Sequence, residues 1–378
     1  FCTPHRTQNN TGIRTGDSYY TGGGDGFQTR SDPDDPYFTY ATSQNGAVQR
    51  LDLRTGQSRS IRPNPGNTRN LDGTPIATEA PAGGRGGGGF PNERANWDAP
   101  YIVSPHNPKS LIWATNYLYR SEDRGDSWLR ISPDLTRQLD AFEVSIMGKQ
   151  WDRATTVGFN RATTALSNIV SVDESPLLAG LIYAGTDDGL IQVTEDGGRT
   201  WRKTEDFPGV PKYTYVSDVM ASPRDSNVVF VTLNNWQRGD YKAYVARSTD
   251  RGRTFTNITG NIPAKQPAWS IIQDHVNSNL LFVGTEYGLF FTVDGGTRWT
   301  QLIGGLPTIQ VRDMDVQKRE NDLVLGTFGR SFYVLDDYSP LRGVSAQSLS
   351  QEAALFPLRH AYQFSMRNQF RAVESDWT

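Results

Sequence analysis

Short apolar runs separated by polar turns recur along the chain. Four of them have a similar composition: LIWAT at 111–115, LIYAGT at 181–186, VVFVT at 228–232 and LLFVGT at 280–285. Each follows a strand-like segment and a polar turn, and each precedes an acidic turn that contains glycine. Apolar runs of this length between turn signals are typical of buried strands, and no convincing helical period of 3.6 residues is found. The pattern predicts an all-β protein made of repeated units.

The acidic turns share a motif, Ser/Thr-x-Asp-x-Gly-x-x-Trp/Phe. Its four copies are SEDRGDSW at 121–128, TEDGGRTW at 194–201, STDRGRTF at 248–255 and TVDGGTRW at 292–299. The carboxylate can accept hydrogen bonds from the N–H groups of the turn, and the glycine supplies a positive φ. The aromatic residue can pack between neighbouring sheets. We therefore interpret the acidic residues of the motif as structural rather than catalytic.

Each unit is interpreted as four antiparallel strands, with the motif in the turn between the third and the fourth. Two further segments, 32–42 and 319–327, have the apolar pattern without a good copy of the motif, which gives about six units at intervals of roughly 40 to 75 residues. Repeats of four antiparallel strands are typical of β-propeller blades. The sequence predicts a β-propeller of six to seven blades in residues 1–342, beginning within a blade.

Three regions depart from the repeat. Residues 57–95 are rich in glycine and proline, and we expect them to form a mobile surface loop. Residues 137–164 lengthen another connection and are expected to form an ordered loop that covers the propeller. The pattern ends after residue 342, so residues 343–378 are predicted to be a linker or the start of a following element.

Composition restricts the possible functions. The formal net charge is −3, which argues against an extended nucleic-acid-binding surface. Cys2 is the only cysteine and the four histidines are scattered, so the sequence predicts no disulfide, no metal site and no cofactor. Calcium in an acidic turn has no supporting motif. No apolar run is long enough to span a membrane.

The repeated motif and its setting resemble the Asp-box, or bacterial neuraminidase repeat, β-propellers. Within that group the chain is most similar to large secreted bacterial proteins of the sortilin-like and glycosyl-hydrolase-like, xyloglucanase-related type. Residues 22–36, 284–299 and 306–337 carry this similarity, which covers roughly residues 20 to 340. The resemblance implies a secreted, periplasmic or cell-surface location in a bacterium. Sialidases, xyloglucan-active endoglucanases and ligand-binding sortilin domains share the fold, so the resemblance leaves the function open.

Support for catalysis is incomplete. Related xyloglucanases use two aspartates across a cleft, one to protonate the leaving oxygen and one to attack or to activate water. Asp25, in the segment GGGDGF at 22–27, is the best single catalytic candidate, and the sequence defines no partner for it. The arginine triad and tyrosine nucleophile of sialidases cannot be assembled either. A histidine is typical of the related proteins where Phe328 stands, and this departure weakens the case for catalysis.

Propeller topology predicts where a ligand would bind. The turns with the motif lie on one face of the disc, whereas the starts of the first strands and the turns between second and third strands lie on the other, around the central channel. Aromatic, carboxylate and guanidinium side chains on that face suit carbohydrate or peptide binding. The predicted ligand-binding residues are Asp25, Trp97, Asp98, Asp187, Tyr215, Trp269, Glu286, Tyr287, Arg312 and Arg330.

Most of these residues also have a structural interpretation. The acidic residues of the turns can serve as turn caps, and Trp97 and Trp269 can pack between blades. The arginines can form ion pairs, Arg312 with Asp313 and Arg330 with Asp336. Asp25 alone is slightly favoured as functional, because its flanking glycines let a ligand approach the backbone.

Three functions are compatible with these observations. We favour a secreted, non-catalytic binding or scaffold propeller that recognises a protein, a peptide or a glycan, because the repeat is strong and the catalytic set is incomplete. The first alternative is a polysaccharide-cleaving glycoside hydrolase related to the xyloglucanases, which two acidic side chains facing each other across the channel mouth would favour. The second is a subunit of a larger extracellular assembly, which a large exposed apolar patch would support.

Overall fold

The structure, a computed structural model, describes residues 2–4, 7, 9–77, 90, 92–156, 165–360 and 363. These residues form six sheets that follow one another along the chain as the blades of a propeller. The prediction of an all-β propeller of four-stranded antiparallel blades is confirmed, with six blades. Among the described residues, blades 1 and 3 to 5 have four strands, blade 2 has a fifth, parallel strand at its edge, and blade 6 has three. No helix in the described ranges is long and apolar enough to cross a bilayer.

The strands follow chain order from the channel outwards within each blade, except that blade 2 has an additional strand, β5, at its outer edge and its first strand is β6. Blade 1 contains β1 (Thr29–Ser31), β2 (Phe38–Ser43), β3 (Ala47–Asp52) and β4 (Gln57–Ser60). Blade 2 contains β5 (Thr68–Asn70), β6 (Tyr101–Val103), β7 (Leu111–Ala114), β8 (Leu118–Ser121) and β9 (Trp128–Arg130), in the order β5-β9-β8-β7-β6. Blade 3 contains β10 (Ile169–Glu174), β11 (Ile182–Thr186), β12 (Ile191–Thr194) and β13 (Arg202–Thr204).

The second half of the ring repeats this arrangement. Blade 4 contains β14 (Tyr215–Ala221), β15 (Val229–Asn235), β16 (Asp240–Ser248) and β17 (Thr256–Asn257). Blade 5 contains β18 (Ala268–Gln273), β19 (Leu281–Thr285), β20 (Gly288–Thr292) and β21 (Thr300–Leu302). Blade 6 contains β22 (Val311–Gln317), β23 (Asp322–Thr327) and β24 (Phe332–Leu335). Short helical segments lie at Thr15–Asp17, Gln44–Gly46, Ala141–Glu143, Trp236–Arg238, Ser339–Gly343 and Ala346–Leu349.

The regions that depart from the repeat contain regular structure. Within 57–95, β4 is the fourth strand of blade 1, and β5 adds a parallel fifth strand to the edge of blade 2. Residues 78–89 and 91 of that region lie outside the described residues, as do 157–164 of the long connection and 361–362 and 364–378 of the C-terminal segment. Arg359 of the C-terminal segment pairs with Asp322 and Glu320 of blade 6, which anchors the described part of this segment to the propeller.

The four motif segments lie in the turns between third and fourth strands of blades 2 to 5. In blade 3, the Asp196 carboxylate accepts hydrogen bonds from the Thr200 hydroxyl (2.6 Å), the Thr200 N–H (2.9 Å) and the Thr194 hydroxyl (2.8 Å). These bonds, that from the Thr200 hydroxyl above all, lower the pKa of Asp196 to about 2. Both carboxylate oxygens are therefore engaged in hydrogen bonds within the turn that they stabilise.

The motif also joins each blade to the preceding one. The indole N–H groups of three motif tryptophans donate to backbone carbonyls of the preceding blade, at 2.8 to 3.0 Å: Trp128 to Ile61, Trp201 to Ile131 and Trp299 to Ile258. The motif glycine packs against the same isoleucine. At Gly198 a Cβ would lie 2.4 Å from the Ile131 carbonyl oxygen, and its φ of +103° also favours glycine. The glycine is thus required by backbone conformation and by blade packing together.

One backbone hydrogen bond occurs in all six blades, including the two without a good motif. The residue after the turn aspartate donates its N–H to a carbonyl in the turn between the first and second strands. The pairs are Leu53 to Tyr37, Arg124 to Lys109, Gly197 to Gly180, Arg251 to Asn227, Gly295 to Asn279 and Tyr338 to Asn321. Blades 1 and 6 therefore have the turn geometry of the repeat although they have no good copy of the motif.

The hydrophobic core is divided among the blade interfaces. Five apolar clusters lie between consecutive blades from blade 1 to blade 6, each built from inward-facing aliphatic and aromatic residues. Blade 6 meets blade 1 through an ion pair instead, with 3.3 Å between Arg30 Nη1 and Asp315 Oδ2. The ring thus combines apolar interfaces between its blades with a polar contact where its two ends meet.

The tryptophan bridge can be tested directly. Trp299→Phe keeps most of the buried ring but removes the donor to the Ile258 carbonyl, and we expect it to lower the free energy of unfolding by about 1 to 2 kcal/mol. Trp236→Phe is the matched control, because Trp236 is exposed, and its effect should stay within about 0.5 kcal/mol. Equal effects in urea unfolding would show that the bridge contributes nothing to stability.

Candidate functional site

The candidate site is positioned by β-bulges in the first strands of four consecutive blades, 3 to 6. The register against the second strand shifts at the same level in β10, β14, β18 and β22. The residues in these bulges are Val170, Ser217, Trp269 and Arg312. A bulge releases one residue from the ladder and redirects its side chain. Because the bulges lie near the starts of the first strands, they place these side chains at the mouth of the channel, on the face opposite the motif turns.

Arg312 is the centre of this mouth. Its guanidinium lies 4.2 Å from the centroid of the Trp269 ring, and its Nη2 atom is 3.7 Å from Asp98 Oδ2. Burial raises the pKa of Tyr215, and the neighbouring Arg312 opposes that rise. These four residues, Asp98, Tyr215, Trp269 and Arg312, come from blades 2, 4, 5 and 6 and form what we call the mouth cluster. Burial also raises the pKa of Asp98, against the effect of Arg312.

Glu286 connects the mouth cluster to the surface beside it. Its Oε2 atom accepts hydrogen bonds from the Trp269 indole N–H and from the Gln310 side-chain amide, both at 2.9 Å. The Gln310 carbonyl in turn accepts a hydrogen bond from the N–H of Phe328. The polar cluster and the turn between β23 and β24 are therefore held together as one surface.

Exposed aromatic residues border this surface. Tyr287 lies in the turn between β19 and β20, and Phe328 and Phe332 flank the turn between β23 and β24; Phe328 is 72% exposed. We call these three residues the aromatic rim. The sequence predicts Tyr287 as a ligand-binding residue. It does not predict Gln310, Phe328 or Phe332 as site residues. The turn sequence TFGR at 327–330 was the available signal, because it occupies the same position as TEYG at 285–288.

Asp187, in the turn between β11 and β12, makes its hydrogen bonds to the segment before β10. Its Oδ1 atom accepts hydrogen bonds from the N–H groups of Ser167 (2.9 Å) and Asn168 (2.8 Å), and its Oδ2 atom accepts one from the Asn168 side chain (2.9 Å). Burial raises the pKa of Asp187 to about 7 despite these bonds. Both oxygens are engaged within the protein, so Asp187 serves as a turn cap at the start of blade 3.

The remaining predicted residues lie apart along the chain. Asp25 is exposed in the segment before β1, and its side chain forms no ion pair or hydrogen bond with the described residues. Trp97 is half-buried, and its carbonyl accepts a hydrogen bond from Asn45 of blade 1. Arg330 is exposed in the turn between β23 and β24. Within the described ranges, no group of three or more histidine, cysteine, aspartate or glutamate side chains is placed to hold a metal ion.

Comparison with known sequences gives a partial match. No protein-family model matches the chain. The xyloglucanase Xgh74A of Acetivibrio thermocellus is 27% identical over 136 residues, which is 32% of this chain and 16% of that protein. A xyloglucanase of a Paenibacillus species is 26% identical over 136 residues, or 32% of this chain and 13% of the relative. The match thus spans less than a fifth of the length of these curated relatives.

Comparison with solved structures concerns most of the chain. The crystal structure of an ancestral GH74 enzyme superposes with a TM-score of 0.52 at 16% identity, covering 83% of this chain and 38% of that one. The chain is a six-bladed propeller similar in fold to a GH74 enzyme. The GH74 xyloglucanase from Xanthomonas campestris gives a TM-score of 0.49 at 16% identity, over 82% of this chain and 52% of that one. The expected resemblance to xyloglucanase-related propellers is confirmed in fold and in part of the sequence.

Proposed function

We propose that this propeller binds a polysaccharide on the face that carries the mouth cluster and the aromatic rim, and that it binds without cleaving. The observation that carries this proposal is the convergence of side chains from three other blades on Arg312 of blade 6, next to the exposed rings of the rim. Sugar rings have apolar faces that stack on aromatic side chains, and hydroxyl edges that need both donors and acceptors. The rim offers stacking surfaces, while Glu286, Asp98 and Arg312 offer acceptors and donors.

A glycan is favoured over a peptide by the chemistry of the surface and by the sequence match. Large exposed aromatic side chains beside hydrogen-bonded carboxylates suit a neutral ligand with many hydroxyl groups. The curated proteins that match part of the chain are named for xyloglucan, a polysaccharide. Xyloglucan is therefore the first ligand to test, with other β-linked glucans beside it.

Binding is favoured over cleavage by the state of the carboxylates. Glycoside hydrolysis needs one carboxyl group to protonate the leaving oxygen and a second to attack or to activate water. At the mouth, Asp98 is paired with Arg312, and Glu286 is held by Trp269 and Gln310. Between them, the Arg312 guanidinium stacks on the Trp269 ring at 4.2 Å. These contacts support a recognition surface.

The rim gives the main test of this proposal. Tyr287→Ala and Phe328→Ala each remove an exposed ring, and each should weaken xyloglucan binding about 10-fold in isothermal titration calorimetry, or roughly 1.4 kcal/mol. Tyr37→Ala is the matched control: Tyr37 and Tyr287 are both 48% exposed, but Tyr37 lies in a turn between first and second strands, on the opposite face. A loss of affinity in the Tyr37 variant equal to that in the Tyr287 variant would contradict this placement of the ligand.

The same samples distinguish binding from hydrolysis. Wild-type protein should bind xyloglucan without releasing reducing ends during long incubation. Release that is abolished in both Asp98→Asn and Glu286→Gln would show that these carboxylates are catalytic and would overturn the non-catalytic proposal. Binding that persists in the two variants without product formation is the expected result.

A further inference from the structure

A second group of aromatic residues lies on the same face of the propeller. Trp236 and Tyr241 flank the connection between β15 and β16 of blade 4, and Trp151 lies in the long connection between blades 2 and 3. Each is between 42% and 44% exposed. The connection between second and third strands lies on the same face as the mouth, as does the approach to a first strand. We call Trp151, Trp236 and Tyr241 the second platform.

Hydrogen bonds hold the two segments of the second platform together. The N–H of Met147 donates to the carbonyl of Gln237 at 2.8 Å, which ties the long connection to blade 4. The N–H of Ile146 donates to Lys149, and the Trp151 indole N–H donates to the Ile146 carbonyl at 3.2 Å. Trp151 is thereby fixed on the same turn whose tip contacts the residue after Trp236.

A cleft adjoins the exposed ring of Trp151. It has a volume of about 430 Å³ and is lined by Ala141, Phe142, Ile146, Trp151, Thr155 and Thr156. The Lys149 ammonium lies over the Trp151 ring, 4.5 Å from its centroid, so a hydrogen-bond donor covers part of one face of the indole. A cation stacked on a tryptophan ring is the same combination as Arg312 on Trp269 in the mouth cluster.

Single exposed hydrophobic residues are common on protein surfaces and need no function. The second platform differs because three aromatic residues from two distant segments are joined by a backbone hydrogen bond next to an apolar cleft. It also lies on a different blade from the aromatic rim, since Trp236 and Tyr241 belong to blade 4, whereas Tyr287 belongs to blade 5 and Phe328 and Phe332 belong to blade 6.

We propose that the second platform binds further sugar units of the polysaccharide that the aromatic rim binds, so that the ligand is a long chain lying across the channel mouth. This inference rests on the proposed function and specifies its ligand as an extended internal stretch of polymer rather than a chain end or a short oligosaccharide. Two weak sites on one chain raise the overall affinity once the chain spans both.

The test compares ligands of different length. A single-repeat xyloglucan oligosaccharide should bind wild-type protein weakly, and the polymer should bind at least about 10-fold more tightly per binding site. The double variant Trp151→Ala/Trp236→Ala should bind the polymer only as tightly as the single repeat, with its affinity for the single repeat unchanged. Trp151→Tyr/Trp236→Tyr, which keeps stacking surfaces, should retain polymer binding within about 3-fold.

Three results would overturn the inference. Polymer affinity unchanged in the double alanine variant would remove the second platform from the site while leaving the proposed function intact. Equal loss of single-repeat and polymer binding would contradict a separate second platform. If the variant then unfolds in urea at the same concentration as wild type, the loss comes from the primary site and not from a damaged fold. Absence of glycan binding by the wild-type protein would reject the proposed function and this inference with it.

Discussion

Replacing Asp274 with alanine is expected to lower the free energy of unfolding by about 3 to 5 kcal/mol, because it breaks a buried ion pair on one side only. Asp274 is fully buried in the turn after β18. Its two oxygens accept hydrogen bonds from Arg342 Nη2 (2.7 Å) and Nε (2.8 Å), and Oδ1 also accepts one from the Tyr338 hydroxyl (2.7 Å). Alanine leaves the Tyr338 hydroxyl without this acceptor and leaves the guanidinium with the Asn321 side-chain oxygen alone. The bonds join blade 5 to the segment that follows blade 6.

Urea unfolding with a matched surface variant measures this effect. Asp315→Ala removes the ion pair with Arg30, in which the aspartate side chain is largely exposed, and should cost less than about 1 kcal/mol. The hydrogen bonds of Asp274 lower its pKa although burial opposes them, so its contribution should fade as the pH falls below the ordinary range of an aspartate. An Asp274→Ala effect as small as that of Asp315→Ala would mean that Arg342 finds other partners.

The repeat could be predicted from the sequence because its determinants are local. In blade 5, the Asp294 carboxylate accepts hydrogen bonds from the N–H groups of Thr297 and Arg298, so a window of a few residues contains the whole interaction. The same holds for the other motif turns, and the apolar runs before them identify the second strands. A chain of such windows is enough to predict a propeller.

Strands outside the motif turns could not be predicted as well from the sequence. The strand β4 has the sequence QSRS and is exposed at every residue, so it shows no alternation of apolar and polar residues. It pairs with β3 through backbone hydrogen bonds, and these do not depend on the types of the side chains. Blades 1 and 6 likewise keep the repeat through a backbone bond, from Leu53 and Tyr338 respectively.

The candidate site was predicted as a list of residues, without the contacts between them. Arg312 could have paired with its neighbour Asp313, and the structure instead brings it to Asp98, which is more than two hundred residues away in sequence. Which side chains share the mouth depends on the bulges that release Trp269 and Arg312 from their ladders. A bulge is a one-residue shift in the register between two strands. A single sequence does not show register to within one residue.

The channel below the mouth contains acidic residues that connect the blades. Asp173 of β10 accepts a hydrogen bond from the N–H of Ala221 at 2.8 Å, and Asp218 of β14 accepts one from the N–H of Ile271 at 2.9 Å. Each carboxyl group thus satisfies a backbone donor on the first strand of the next blade. Both side chains are only half-buried, yet the narrow channel surrounds them with protein. Loss of bulk water raises the pKa of Asp173 to about 7 and that of Asp218 to about 8.

These raised pKa values predict that stability falls as the pH rises. An aspartate in the unfolded chain ionises near pH 4, whereas Asp218 in the native state keeps its proton until about pH 8. Between these values the unfolded state loses a proton that the native state retains, so the contribution of Asp218 is fully present below about pH 4 and is lost by about pH 8. Asp218→Asn cannot ionise but keeps an oxygen that can accept from Ile271. The variant should therefore match wild type near pH 5 or fall slightly below it, and exceed it by roughly 3 kcal/mol at pH 9.

Urea unfolding between pH 5 and pH 9 tests this prediction, with Asp196→Asn as a control of opposite sign. The pKa of Asp196 is about 2, so its ionised form is the stabilising one, and its removal should destabilise the protein throughout this range. Parallel profiles for wild type and Asp218→Asn would show that Asp218 is ionised in the native state. The channel would then have to hold enough water, or the Arg30 guanidinium close enough, to compensate several carboxylates. Diverging profiles would instead show that the blades are joined by neutral carboxyl groups at neutral pH.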